Sequence, residues 1–97
     1  MAKGYWVGHV DVDDPQIYED YKRANAEPFA EFGARFVVRG GQQTVREGTA
    51  RGRTVVIEFP SYQAALDCFD SPAYQRAKAL RDPVSSADMI IVEGYDG

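Results

Sequence analysis

The stretch ARFVVRGGQQTVREGTARGRTVVIEFP, from Ala34 to Pro60, decides the fold. Two runs within it, Arg35–Arg39 and Arg53–Phe59, are rich in β-branched and aromatic residues, which is typical of β-strands. We interpret them as the two arms of a hairpin on which the other elements pack. Alternation places Phe36 and Val38 on one side of the first arm and Arg35, Val37 and Arg39 on the other.

Two glycines interrupt the first arm of this hairpin. Gly40-Gly41 predicts a bulge or bend, because glycine in a strand weakens regular pairing. Beyond it we expect extended structure to resume at Gln43–Glu47 and a short turn at Gly48–Gly52.

Four further elements surround the hairpin. Asp14-Pro15 and Ser61 are typical helix starts, Ser71-Pro72 repeats that signal, and Gly33 is a typical helix stop. Pro28 should kink or interrupt the first helix. The predicted elements are a strand at Gly4–Val12, a helix from Pro15 to Gly33 with an apolar stripe of Ile17, Tyr21, Ala24, Pro28 and Phe32, a helical region from Ser61 to about Arg81, and a strand at Ala87–Gly94.

The order strand, helix, strand, strand, helix, strand predicts an α+β, ferredoxin-like βαββαβ domain spanning residues 1–97. Such a domain is an antiparallel four-stranded sheet with both helices on one face. The other face would carry apolar side chains that a monomer would expose to water. We therefore expect a homodimer that forms through this sheet face.

Composition narrows the possible partners. The chain has 97 residues, a net charge of −4 and a single cysteine, Cys68. Negative charge argues against general binding to nucleic acid or to anionic membranes. A lone cysteine cannot form an internal disulfide, and the apolar runs are too short to span a bilayer. We expect a cytoplasmic protein with no nucleic-acid or membrane partner.

Several blocks of sequence, in order, resemble a small bacterial family, domain-of-unknown-function family 1330 (DUF1330). They are GYWVGHVDVDDPQIYEDY, GARFVVRGG, EG, VVIEFPS, SPAYQRAKALR and IIVEG. The resemblance implies the fold of the dimeric α+β barrel superfamily, in which two ferredoxin-like sheets join into one barrel. That superfamily includes cofactor-free monooxygenases, haem-degrading monooxygenases, lactone isomerases and stress-response proteins. The resemblance implies no particular activity. Pro83 departs from the pattern and leaves the end of the last helix open.

Three residues are candidates for catalysis. Arg39, beside the predicted bend, could grip a carboxylate or enolate oxygen, and His9 could act as a general base near neutral pH. Glu58 could be an acid or base if partial burial raised its pKa. The alternatives are structural: Arg39 paired with Glu47 or Glu58, His9 as a packing residue, and Glu58 paired with an arginine.

Four further residues are candidates for substrate binding. They are Trp6, Tyr21, Tyr74 and Arg81. Tyr74 and Arg81 lie seven residues apart, on one helical face, and could meet Arg39 in a cleft between helices and sheet. A tyrosine packed on an arginine at the surface is the alternative interpretation.

The sequence predicts neither a cofactor nor a metal. Asp11, Asp13 and Asp14 lack the glycine and distal glutamate of a calcium loop, and one histidine cannot supply a two-histidine site within one chain. Cys68, among apolar neighbours, is expected to be buried and inert. RNA binding is also disfavoured, because the third strand lacks stacking aromatic residues.

Two hypotheses of function remain. The first is a homodimer that binds a small organic acid or aromatic molecule between sheet and helices, as a cofactor-independent isomerase or monooxygenase. The second is a non-catalytic stress-response or ligand-sensing dimer.

Overall fold

The computed structural model describes residues 2–96, which contain one antiparallel sheet of four strands. The strands lie in the spatial order β2-β3-β1-β4, as the ferredoxin-like topology requires. The elements are β1 (Gly4–Val12), α1 (Pro15–Ala24), α2 (Ala26–Glu31), β2 (Arg35–Arg39), β3 (Arg53–Phe59), α3 (Tyr62–Asp70), α4 (Pro72–Arg81), a 3₁₀ turn (Asp82–Val84) and β4 (Ser85–Glu93).

The predicted helix starts are confirmed. Asp14 accepts hydrogen bonds from two amides of the first turn of α1, and Ser61 and Ser71 cap α3 and α4 in the same way. These side chains satisfy amide groups that the first turn of a helix leaves unpaired.

The first helical region is split as Pro28 predicted, but three residues before the proline. α1 ends at Ala24 and α2 begins at Ala26. The proline has no N–H to donate to the carbonyl of residue 24, and its ring would clash with that carbonyl. Gly33 ends the region with a φ of 72°.

The predicted apolar stripe is confirmed at Tyr21, Ala24, Pro28 and Phe32, which are buried or packed against the core, and it was wrong at Ile17. Ile17 is 41% exposed, whereas Tyr18 and Phe29 are buried with Tyr21 and Pro28. The buried side of the helices is therefore more aromatic than the predicted stripe.

The inner face of the sheet, which the helices cover, holds the core. Trp6 is 1% exposed and lies against four aromatic rings, with centroids 5.3 Å away at Phe29, 5.1 Å at Phe59, 5.7 Å at Phe69 and 4.8 Å at Tyr74. Its Nε1 donates a hydrogen bond to the Ala65 carbonyl at 2.9 Å. Trp6 therefore fastens α3 to β1. It was a candidate for substrate binding, but it lies in the core.

The outer face of the sheet has an apolar row that crosses all four strands. Register places Val38 beside Val56, Val56 beside Val7, and Val7 beside Ile90. Ile90 is 60% exposed and Val38 is 38% exposed. We call Val38, Val56, Val7 and Ile90 the outer apolar row. Polar side chains lie on both sides of it, including Glu58 and Arg35 on one side and His9, Thr54 and Asp88 on the other.

The hairpin differs from its prediction in two ways. The chain bends at Gly40, as predicted, but the bulge lies earlier, between Phe36 and Val38. An extra residue there exchanges the faces beyond it, so Val38 points outward and Arg39 joins Phe36 on the inner face. The strand predicted at Gln43–Glu47 does not form, and residues 40–52 are an irregular loop.

Two hydrogen bonds of the Gln43 side chain explain part of this irregularity. Its amide nitrogen donates to the Arg51 carbonyl at 2.9 Å, and its amide oxygen accepts from the Thr54 hydroxyl. The Gln43 side chain thus connects the two ends of the loop. In a β-strand pair, backbone hydrogen bonds would make this connection.

Gly40 turns the chain into this loop with a φ of 69°, and a Cβ built there would overlap the guanidinium of Arg53. Gly48 has a similar φ of 71° but open space around it, and Gly41 has open space without a positive φ. We expect Gly40→Ala and Gly48→Ala each to lower the free energy of unfolding by about 1 kcal/mol or more, because alanine is strained at a positive φ, and Gly41→Ala hardly at all. The end of the Arg53 side chain can shift to admit a methyl group at position 40. Urea unfolding of the three variants measures this. A loss at Gly41 equal to the losses at Gly40 and Gly48 would contradict the prediction.

Candidate functional site

A cavity lies between the inner face of the sheet and helices α1, α2 and α4. It leaves about 30 Å³ for the centres of water molecules, which is room for about two waters. Its floor is apolar and its rim is polar. The lining residues are Val10, Tyr18, Tyr21, Lys22, Asn25, Phe29, Phe36, Arg39, Arg53, Val55, Ile57, Arg81, Ala87 and Met89.

All four charged side chains that line this space are cations, and we call it the cationic cavity. They come from four different elements: Lys22 from α1, Arg39 from β2, Arg53 from β3 and Arg81 from α4. Lys22 is paired with Glu19 at 2.9 Å. Arg39 and Arg53 form no salt bridge with a carboxylate of residues 2–96. The cavity thus carries positive charge that its own walls do not neutralise.

Arg81 is the most deeply buried of the four cations, and we call its side of the cavity the closed end. It is only 6% exposed, and its guanidinium carbon lies 5.5 Å from the centre of the Tyr21 ring. Its one ion pair, with the neighbouring Asp82, is long at 3.4 Å. Burial works to lower the pKa of Arg81, but the Tyr74 and Tyr21 hydroxyls and Asp82 outweigh it, so its pKa is raised. Arg81 is therefore a permanent cation in a largely dry position.

Two tyrosine hydroxyls meet beside Arg81. The Tyr21 and Tyr74 oxygens are 2.9 Å apart, and both residues are buried. Burial, followed by the closeness of Tyr74, raises the pKa of Tyr21. Its hydroxyl therefore stays protonated and can serve as a hydrogen-bond donor. Tyr74 adjoins the cavity wall and holds Tyr21 in place.

Arg53 lies toward the open end. Its Nε is sealed from solvent and has no hydrogen-bond partner among residues 2–96, while its guanidinium carbon is 5.9 Å from the Tyr18 ring centre. A groove continues outward from here, sharing Val10, Tyr18, Lys22 and Arg53 with the cavity. A buried, unpaired charged donor is costly, so an oxygen placed beside Nε would be stabilising.

Arg39 lies flat on an aromatic ring. Its guanidinium carbon is 4.0 Å from the centre of Phe36, a typical cation–π distance. The alternative of a pairing with Glu47 or Glu58 is therefore not what the structure contains. The side chain is largely exposed and can move.

The structure brings together some of the predicted site residues and separates the others. Arg39, Arg81 and Tyr21 line the cationic cavity, and Tyr74 supports it. His9 and Glu58, the other two candidates for catalysis, do not line the cavity, because both point to the outer face of the sheet. Alternation along β1 and β3 requires this, since Trp6, Ile57 and Phe59 fill the inner face.

On the outer face, Glu58 is held by cations. Its Oε2 lies 3.2 Å from Arg35 Nε and 3.4 Å from Lys3 Nζ, and its Oε1 accepts a hydrogen bond from Tyr5. The hydrogen bond from Arg35 is the main cause that lowers the pKa of Glu58. Of the two alternatives for Glu58, the structure contains the pairing with an arginine and not the raised pKa.

His9 lies in a shallow depression of the outer face with Asp11, Arg51 and Asp88. Its Nδ1 is 3.2 Å from the Thr54 hydroxyl, and Arg51 bridges the two aspartates at 3.0 and 2.9 Å. No cluster of three potential metal-binding side chains occurs within residues 2–96.

Cys68 is buried in the core, as expected. Burial raises the pKa of its thiol to about 12, which keeps the thiolate scarce near neutral pH.

Sequence reasoning missed Arg53, Lys22, Tyr18 and Asn25 in the cavity. For Arg53 a signal existed, because it alternates with Val55 and Ile57 on the inner side of β3. For Lys22 there was none, since it also fits an ordinary solvated helix face.

Solved structures with the same fold include proteins of three kinds. The RPA0582 protein of Rhodopseudomonas palustris, of unknown function, is 17% identical with a TM-score of 0.76, over 99% of this chain and 85% of that one. SnoaB of Streptomyces nogalater, a cofactor-independent oxygenase, is 15% identical with a TM-score of 0.65, over 100% and 97%. A dimeric ferredoxin-like protein of unknown function from Thermobifida fusca is 15% identical with a TM-score of 0.60, over 95% and 89%.

These likenesses show the fold alone: the chain has the α+β, ferredoxin-like fold of these proteins. Its sequence matches the family described as "Domain of unknown function (DUF1330)" over residues 3–95. The chain belongs to that family. A search among functionally curated proteins gave no significant match. Within the described residues, no helix is both long enough and apolar enough to cross a membrane.

Proposed function

We propose that this protein is a cytoplasmic homodimer that binds a small organic acid or aromatic molecule in the cationic cavity. The observation that carries the proposal is a set of four cations around an aromatic and aliphatic floor. A cation beside an apolar wall recognises a molecule with one charged end and one apolar body, because each part then meets a complementary surface.

Access to the cavity needs a modest rearrangement. The space holds about two waters, which is too little for an aromatic acid. Arg39 is largely exposed and Lys22 is half-buried, so both long side chains can swing away from the floor. Ligand binding would exchange the Arg39–Phe36 stacking for contacts with the ligand.

The dimer is supported by the outer apolar row. A single chain leaves Ile90 and its neighbours in water, and a second copy turned by a two-fold axis would cover the row with itself. The Thermobifida fusca protein of the same fold is described as dimeric. In such a dimer, the cavities lie on the far sides of the two sheets, one in each subunit.

The test of binding compares two ligands that share a ring and differ in charge. We expect benzoate to bind to the unaltered protein at least about tenfold more tightly than benzyl alcohol, which has the same ring without the charge. Arg81→Gln should weaken benzoate by about tenfold or more, and Arg76→Gln, on the exposed side of α4, should not. Isothermal titration calorimetry measures both, with thermal unfolding to check folding. Equal affinity for the acid and the alcohol would contradict the proposal.

Two uses of such binding are open to experiment. Cofactor-independent isomerisation or oxygenation is supported by the likeness to SnoaB and by cations that could stabilise an enolate oxygen. Non-catalytic stress-response or ligand sensing is supported by the position of His9 and Glu58 outside the cavity. Deuterium exchange into enolisable acids and oxygen consumption with aromatic quinols separate them. Turnover that Arg39→Ala abolishes in a folded protein would exclude the sensing role.

A further inference from the structure

We infer that the ligand of the cationic cavity is a planar diacid, with one anionic group at Arg81 and a second at Arg53. This inference rests on the proposed function, and it specifies the chemical class of the molecule bound. It follows from the two ends of the cavity, each of which offers a cation, and from the apolar walls between them.

The closed end fits one carboxylate. The Arg81 guanidinium is desolvated, and the Tyr21 hydroxyl beside it remains protonated as a donor. Asp82, the one acidic neighbour, is about half exposed and 3.4 Å away, so it competes weakly for the cation. A carboxylate here would gain charge-assisted hydrogen bonds in a position of low dielectric.

The open end fits a second anionic group. Arg53 Nε is buried without a partner, and Gly40 leaves the space that its guanidinium occupies. Arg39 also points inward, from the neighbouring strand. The carboxylates of the groove outside, Glu19 and Asp11, are held by Lys22 and Arg51. Two guanidinium groups at this end therefore remain available to a ligand.

The middle of the cavity would receive a flat apolar body once Arg39 and Lys22 have moved aside. Tyr18 links the two ends: its ring centre lies 5.2 Å from that of Tyr21 and 5.9 Å from the guanidinium carbon of Arg53. Phe29, Val55 and Ile57 complete the apolar walls. A ring with acidic groups at separate positions would place each charge at an arginine and its face against these walls.

A series of ligands on one ring tests the inference. Benzoate is compared by calorimetry with phthalate, isophthalate and terephthalate, and with the monomethyl ester of each diacid. We expect at least one diacid to bind about tenfold or more tightly than both benzoate and its own monoester. The monoesters keep the ring and the substitution pattern of the diacids, remove one charge and add one methyl group, and the comparison does not depend on any variant folding.

A pair of variants assigns the second anionic group. We expect Arg53→Gln to abolish the advantage of the diacid over its own monoester, with both ligands measured on the same variant. Arg46→Gln, exposed in the loop of residues 40–52, should keep the advantage.

The possible failures are distinguishable. If benzoate binds and no diacid binds more tightly, the diacid inference is wrong while the proposed binding function stands. If the advantage survives in Arg53→Gln, the assignment of the second group to Arg53 is wrong. If neither benzoate nor any diacid binds, the proposed function fails and the inference falls with it.

Discussion

Ile90→Glu is expected to convert the protein from dimers to folded monomers of 10.8 kDa. Ile90 ends the outer apolar row and is 60% exposed in a single chain. In a face-to-face dimer the substitution would bury a carboxylate at two symmetry-related positions. The combined cost is at least about 3 kcal/mol, enough to weaken association more than about a hundredfold. Size-exclusion chromatography with light scattering, at micromolar concentration, measures the mass.

Leu80→Glu is the matched control for this prediction. Leu80 is also an exposed aliphatic residue, 40% accessible, but it lies on α4 on the helical side of the molecule. The same change there should leave the dimer intact. A well-folded wild-type protein of monomer mass, or an Ile90→Glu variant that stays dimeric, would contradict the use of the outer face for association.

Trp6→Ala is expected to remove about 3–5 kcal/mol from the free energy of unfolding. The substitution deletes the ring at the centre of the aromatic cluster and leaves the Ala65 carbonyl without its side-chain donor. Because a domain of this size is stable by only about 5–15 kcal/mol, the variant should be close to unfolding at physiological temperature. The midpoint of urea denaturation, followed by far-ultraviolet circular dichroism, measures the loss.

Tyr95→Ala is the control for the tryptophan prediction, since Tyr95 is 94% exposed near the C-terminal end. Its loss should change stability by no more than about 0.5 kcal/mol. If Trp6→Ala were as stable as Tyr95→Ala, and instead lost ligand affinity, Trp6 would belong to the binding site rather than to the core.

The fold was predictable because local signals and the global arrangement agree. Caps at Asp14, Ser61 and Ser71 fixed the helix starts, and strict alternation in β1 and β3 fixed which side chains enter the core. The burial of Tyr18 in place of Ile17 was not predictable from spacing, because the two residues are adjacent and both apolar. The tyrosine is buried because its larger ring fills the space over the sheet.

Only part of the candidate site could be predicted from the sequence, and the bulge in β2 explains why the direction of Arg39 could not. Simple alternation put Arg39 on the side opposite Phe36, whereas the extra residue between Phe36 and Val38 brings Arg39 inward. Nothing in the letters RFVVRGG marks the bulge at that position rather than at the glycines. Conversely, alternation was sufficient to exclude Glu58 from the cleft, since Ile57 and Phe59 point inward on either side of it.

The alternation of β3 also gives a single strand two sets of side chains that can change independently. Positions 53, 55 and 57 border the cavity, while positions 54, 56 and 58 contribute to the opposite surface. Substitutions can therefore change the side chains of one face of the strand without altering those of the other. An insertion or deletion of one residue within the strand would move each set of side chains to the opposite face. We therefore expect point substitutions in β3 to be tolerated far more readily than changes in its length.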